Sequence, residues 1–182
     1  MIRAVLFDLD NTLVDRDGAF HDCVEARFTD PSVRTELIRL DQGGRGERTK
    51  LFQCWERYAG TAMDQTMFSR MITARLQPDV RLQAALWALS KTVKLGVISN
   101  GSGETQWCKL RAAGLEEVFP ANHVWISGET GSTKPDSAIF LLAVQALGET
   151  PGHCLYVGDN EQDDLFGATN AGLRDPMVEL LA

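Results

Sequence analysis

Ala4-Val5-Leu6-Phe7-Asp8-Leu9-Asp10-Asn11-Thr12-Leu13 decides the fold, because an apolar run ends there on two carboxylates one residue apart. A run this short, closed by a polar turn, reads as a strand buried on both faces. Residues 4–9 form this first strand, and later apolar runs at 93–99, 123–127 and 154–158 repeat it. Helical periodicity occupies residues 79–91, 104–113 and 136–147. Pro78-Asp79 and Pro135-Asp136 set a capping Asp ahead of the first and third of these helices. A last strand is expected at 177–181, after the Asp175-Pro176 turn. Strands alternating with helices of this length predict an α/β fold with a parallel sheet covered on both faces. Ligands of such sheets sit beyond the carboxyl ends of the strands.

Residues 16–77 break the alternation. Phe20, Val24 and Phe28 recur at helical spacing, as do Leu51, Phe52, Trp55 and Tyr58, and then Met67, Phe68, Met71, Ile72 and Leu76. These stripes predict the core of a small helical bundle inserted between the first two strands of the sheet. The expected division is therefore 1–15 with 78–182 for the sheet domain and 16–77 for the insertion. Gly43-Gly44-Arg45-Gly46 reads as a flexible basic loop between two of its helices, with Arg48 and Lys50 close behind.

Composition sets outer limits. The 182 residues are 44% hydrophobic and 24% charged, enough for a core that needs no disulfide or structural metal. Cys23, Cys54, Cys108 and Cys154 form no C-x-x-C pair and read as reduced thiols of a cytoplasmic protein. A net charge of -7 argues against a nucleic-acid surface built on a broad basic field. No apolar run has the length of a membrane span, and the first strand begins too early for a signal peptide.

The strand ends carry the chemistry. Asp8 and Asp10 repel each other unless a cation or a shared proton settles them; the D-x-D pattern alone also occurs in manganese-binding sugar-nucleotide transferases and in plain turns. The second strand ends in Ser99-Asn100-Gly101, whose hydroxyl and backbone N–H groups suit an anion, or simply cap the next helix. Lys134 follows the third strand. Gly158-Asp159-Asn160-Glu161-Gln162-Asp163-Asp164 follows the fourth, and its acids suit either a cation or a helix N-terminus.

Taken in order, Phe7-Asp8-Leu9-Asp10-Asn11-Thr12-Leu13, Ile98-Ser99-Asn100-Gly101, Lys134-Pro135-Asp136 and the segment from Val157-Gly158-Asp159 to Asp164 resemble the haloacid dehalogenase superfamily. Gly167-Ala168 and Ala171-Gly172 match what that family shows after its acidic motif. The resemblance implies a Rossmann-like parallel sheet core with an inserted α-helical cap, and a Mg²⁺-dependent phosphatase acting on a small phosphorylated metabolite. Asp8 is then the nucleophile, forming an aspartyl phosphate, and Asp10 the acid and base that serves the leaving alkoxide and the hydrolytic water. Mg²⁺ is held by Asp8, the Asp10 carbonyl and Asp159, with Asp164 in support; Asp163 is its neighbour, but family spacing favours Asp164. Thr12, Ser99, Asn100, Gly101 and Lys134 are the expected phosphate-binding residues, with Lys134 balancing the charge of Asp8. The acid at position 10 favours a phosphate ester over a haloacid or phosphonate. Two other readings are a phosphosugar mutase of the same family and a receiver-like phosphoacceptor domain, although receivers lack both the insertion and the D-x-D. Monomer and dimer both stay open.

Overall fold

The computed structural model describes residues 1–174 of the chain. Along it run β1 (Ala4–Phe7), α1 (Arg16–Arg27), α2 (Pro31–Asp41), α3 (Arg48–Ala59), α4 (Gln65–Thr73) and α5 (Val80–Ser90). Next come β2 (Lys94–Ser99), α6 (Gly103–Ala112), β3 (Val124–Ile126), the one-turn α7 (Ser127–Thr130) and α8 (Ser137–Ala146). The described chain closes with β4 (Cys154–Val157), a π-helical turn over Glu161–Phe166 and α9 (Gly167–Asn170). The strand expected at 177–181 lies outside the described residues.

The chain packs as two units: Met1–Val14 with Pro78–Ala182, and Asp15–Gln77. In the first, the described strands pair in parallel in the order β3-β2-β1-β4. β1 is thus flanked on both sides, which is why its four residues are all apolar and all buried. At the outer edge of β4, the Arg174 N–H donates to the Cys154 carbonyl at 2.9 Å and the Tyr156 N–H to the Arg174 carbonyl at 3.1 Å. Gly96 in β2 is imposed by packing, since a Cβ there would lie 2.7 Å from Trp125 and 2.8 Å from Leu6. Ile139, Phe140 and Val144 of α8 join Leu6, Ile98 and Tyr156 of the strands in one apolar cluster. Burial of each aliphatic or aromatic side chain there contributes about 1.5–3 kcal/mol. Asp79 and Asp136 cap α5 and α8 through the amides of Arg81 and Ala138, as their positions predict.

The second unit is helical throughout: α1 packs on α2 and α4, and α2 on α3. Phe20, Val24, Phe28, Leu51, Trp55, Phe68, Ile72 and Leu76 are buried as their spacing predicts, while Tyr58 and Met67 face solvent. The loop expected to be flexible is instead wrapped around a buried carboxylate. Asp41 accepts both guanidinium nitrogens of Arg16, Arg48 Nη1 at 2.8 Å and the Gly44 N–H at 3.0 Å. Arg48 also donates to the Gly44 carbonyl at 2.7 Å and lies over the Phe68 ring. A Cβ on Gly46 would meet the Leu40 carbonyl oxygen at 1.8 Å, so only glycine closes the loop this way. Arg48 is therefore half-buried and tied to the loop, Lys50 pairs with Glu47 at 2.7 Å, and Arg45 is exposed.

The four cysteines are free thiols. Burial pushes Cys23 and Cys154 up to about 11, so neither is a nucleophile near neutrality. Among the described residues no helix is long and apolar enough to cross a membrane.

Candidate active site

The site assembles at the carboxyl ends of the strands of the first unit. Asp8 follows β1 directly, and its N–H extends the ladder by donating to the Val157 carbonyl at 2.8 Å. The chain then folds back tightly. The Leu9 carbonyl accepts from Leu13 at 2.9 Å and Val14 at 3.0 Å, and Asn11 takes the left-handed conformation with φ 61°. Asn tolerates that region better than most residues. The turn lifts Asp10 clear of the strand toward α6.

Lys134 is the hub. Its Nζ lies 2.6 Å from Asp8 Oδ1, 2.5 Å from Asp164 Oδ1 and 3.1 Å from the Tyr156 hydroxyl. Asn100 holds it there from the end of β2: the Lys134 N–H donates to Asn100 Oδ1 at 2.9 Å, and Asn100 Nδ2 to the Lys134 carbonyl at 3.0 Å. The side chain of Asn100 is thus committed to the lysine loop. Gly101, expected to offer its N–H to an anion, instead donates to Ser127 Oγ at 2.9 Å. Ser99 is buried and receives the amide nitrogen of Gln106. The Thr12 hydroxyl is buried without a hydrogen-bond partner.

The acidic segment contributes through a helical start. Asn160 caps it by accepting from the amides of Gln162 and Asp163, and the Asn160 N–H returns to Asp164 Oδ2 at 3.0 Å. Gly158 makes room for this, since a Cβ there would sit 2.4 Å from the Asp164 carboxyl group. The carboxylates of Asp8, Asp159 and Asp164 come within 4.8 Å of one another. Asp163 is not in this group, so the geometry separates it from Asp164.

Charge at this cluster is unbalanced. Burial, with Asp164 and Asp10 nearby, pushes Asp8 up to about 7 even though Lys134 pulls it down. Burial also works against the Lys134 ammonium, yet Asp8 and Asp164 together outweigh it and hold that lysine above its ordinary value. Burial is the first cause at Asp8, and the one ammonium that faces it is shared with Asp164, whereas the lysine gains from both carboxylates. Burial raises the Tyr156 hydroxyl well above the usual phenol range, so it stays a neutral donor. Three carboxylates facing one ammonium fit a hard divalent cation, and all the candidate ligands are oxygen.

Three further residues shape the site without having been singled out by sequence. Tyr156 is the one polar tip in β4, an available signal. Gln106 and Lys109 lie on α6 among otherwise ordinary surface residues, and only the fold brings them to Asp10.

Known proteins resemble the chain over nearly its whole length. A profile described as haloacid dehalogenase-like hydrolase matches residues 2–172. The N-acylneuraminate-9-phosphatase of Homo sapiens is 30% identical, over 95% of this chain and 80% of its own length. The glyceraldehyde 3-phosphate phosphatase of Methanothermobacter thermautotrophicus is 32% identical, over 98% of this chain and 86% of its own. The fold matches the magnesium-bound hydrolase YfnB of Bacillus subtilis with a TM-score of 0.76 at 22% identity, covering 96% of this chain and 87% of that one.

Proposed function

The chain belongs to the haloacid dehalogenase-like hydrolases and is a phosphoric monoester hydrolase; we propose that it uses Asp8 as the phosphoryl acceptor and Mg²⁺ as cofactor. The observation that carries this reading is the cluster of Asp8, Asp159 and Asp164 against the single ammonium of Lys134. An excess of negative charge at the strand ends, with Asp8 and Asp164 buried and Asp159 exposed beside them, is costly in an idle protein, and it is what a phosphoryl-transfer site needs in order to take up a cation.

The residue roles extend this reading. An Asp8 oxygen bonds to phosphorus as the ester P–O bond breaks, and the departing oxygen takes a proton from Asp10. Water then attacks the aspartyl phosphate, giving its proton to Asp10, and Asp8 leaves as a carboxylate. Lys134 lets two anions approach by offsetting the charge of Asp8 and of the phosphoryl group. Ser99 and the Asn100 N–H hold phosphoryl oxygens, with the unpartnered Thr12 hydroxyl a further donor. Asp8, the Asp10 carbonyl and Asp159 would hold Mg²⁺, with Asp164 in support, and the ion would neutralise the anionic groups that meet there. Asp10 favours a phosphate ester over a haloacid, because an alkoxide leaving group needs a proton and a halide does not. Relatives named for N-acylneuraminate 9-phosphate and glyceraldehyde 3-phosphate support a small phosphorylated metabolite as substrate.

A panel of phosphomonoesters, read by released phosphate with Mg²⁺ and then with chelator, tests the proposal. Hydrolysis that stops on chelation is expected, and hydrolysis indifferent to chelator contradicts the cofactor assignment. Transfer of phosphoryl between sugar positions with no free phosphate points to the mutase instead.

A further inference from the structure

Asp10 has partners that the roles above do not use. Lys109 Nζ lies 2.6 Å from each Asp10 carboxylate oxygen, and Gln106 Nε2 lies 3.0 Å from Oδ2. Both residues come from α6, three positions apart, so they share the face that also buries Leu110. The Lys109 side chain is only 8% exposed. A lysine so enclosed costs free energy that an apolar side chain beside Leu110 does not, unless its ammonium is matched by a carboxylate. The match is with the carboxylate that moves protons. Gln106 extends the link, since the same amide nitrogen reaches Ser99 Oγ at 2.5 Å and the Asn100 carbonyl at 3.1 Å. One side chain therefore connects the proposed acid–base group to the proposed phosphoryl-binding hydroxyl.

We propose that Lys109, assisted by Gln106, is the positioning residue for the ionised form of Asp10, the form that waits in the phosphoenzyme to receive a proton from water. The inference rests on the acid–base reading of Asp10. An ammonium and an amide N–H are donors, so this pair is matched to a carboxylate that has already given up its proton. That state begins when the alkoxide leaves with the Asp10 proton. It ends when water bonds to phosphorus, the Asp8–phosphorus bond breaks and the water proton passes to Asp10. Held at both oxygens by Lys109, the carboxylate keeps one orientation through this interval. Loss of the hold slows the second half-reaction and spares the first wherever the leaving group departs without a proton.

The test uses the whole enzyme with Mg²⁺ and p-nitrophenyl phosphate, comparing wild type, Lys109→Met, Lys109→Arg and Asp10→Asn. In Lys109→Met a nitrophenolate burst of about one per active site is expected, followed by a steady state slower by at least about tenfold. kcat and KM fall together, kcat/KM stays near wild type, and phosphoenzyme accumulates in acid-quenched samples. Lys109→Arg restores most of kcat, because it keeps the charge and the donors. A merely structural lysine gives another pattern: burst amplitude and kcat fall in step as folded enzyme is lost, with no phosphoenzyme. That pattern, or Lys109→Met turning over like wild type, overturns the proposal. If Lys109→Met does not fold, Lys109→Gln carries the same comparison. Asp10→Asn separates the two ways to fail. If Asp10→Asn accumulates phosphoenzyme and the Lys109 variants do not, the positioning role alone is wrong. If Asp10→Asn neither slows nor accumulates it, the reading of Asp10 falls and the positioning role with it.

Discussion

Two buried ionic clusters, one in each unit, show opposite designs. In the helical unit, Asp41 is a single carboxylate surrounded by Arg16, Arg48 and the Gly44 amide. Burial works against its charge, but the two arginines win and hold it below the ordinary carboxylate range. At the strand ends, two buried carboxylates share one ammonium with the exposed Asp159 beside them, and Asp8 is held far above that range. The first cluster is closed and satisfied, as befits a core that only has to hold its shape. The second carries surplus charge, which is useful only if something arrives to meet it. Closure marks structure and surplus marks chemistry.

Breaking the second cluster has the largest effect on activity. Asp8→Asn is expected to abolish phosphate release, since an amide cannot take the nucleophile's place. Asp10→Asn leaves the acceptor intact but removes proton transfer, lowering kcat on an alkyl phosphate by roughly a hundredfold to ten-thousandfold. Turnover of that substrate at the wild-type rate contradicts the acid–base role.

Stability sharpens the contrast, because the two clusters respond with opposite signs. Asp41→Ala takes from the buried Arg16 the carboxylate that faces both its terminal nitrogens, leaves it the half-exposed Asp17, and is expected to cost about 3 kcal/mol, read by denaturant unfolding. The Asp41 contribution is present above the ordinary carboxylate pKa and is lost as pH falls through its depressed value. Asp8 runs the other way. Between its ordinary 3.8 and about 7 the folded protein keeps a proton that the unfolded chain has released, so stability falls as pH rises through that window. In chelator above neutral pH, Asp8→Asn is therefore expected to melt no lower than wild type. A clear drop there means that the cluster is as structural as the Asp41 one.

The smallest expected effect concerns Arg45. With Arg48 bonded to Asp41 and Lys50 paired to Glu47, Arg45 is an exposed member of the basic group. Arg45→Ala is expected to change the unfolding free energy by no more than about 0.5 kcal/mol, against several kcal/mol for Asp41→Ala, in the same denaturant titration. A loss as large as that of Asp41→Ala makes the exposed arginine part of the loop's wrap.

Much of the sheet was legible in the sequence because both-face burial forces each strand to be a short apolar run, and each run ends on its polar residue. Asp8 could be found in that way, while Lys134 and Asp164, several residues beyond their strands, were picked out by the resemblance to the family. The helical insertion was legible only in part. Its aromatic stripes announced α1, α3 and α4, whereas α2 buries little beyond Val33 and Leu37 and is marked mainly by the Asp30 cap and Pro31. The Gly43-Gly44-Arg45-Gly46 loop misled, because glycine suits a tight wrap as well as a flexible linker, and sequence does not say that Asp41 sits inside it. Gly101 misled for a similar reason: its N–H goes to Ser127, a partner set by the fold and not by spacing. Lys109 and Gln106 were invisible, since a Gln and a Lys on a helix ordinarily face water.

The central claim is that phosphate passes through Asp8. Asp10→Asn enzyme, incubated with Mg²⁺ and p-nitrophenyl phosphate and quenched in acid, tests it by peptide mass spectrometry. The peptide carrying residues 4–13 is expected to gain one phosphoryl group, located on Asp8 and absent from the Asp8→Asn, Asp10→Asn double variant. Turnover with no labelled peptide, or label on any other side chain, contradicts the account.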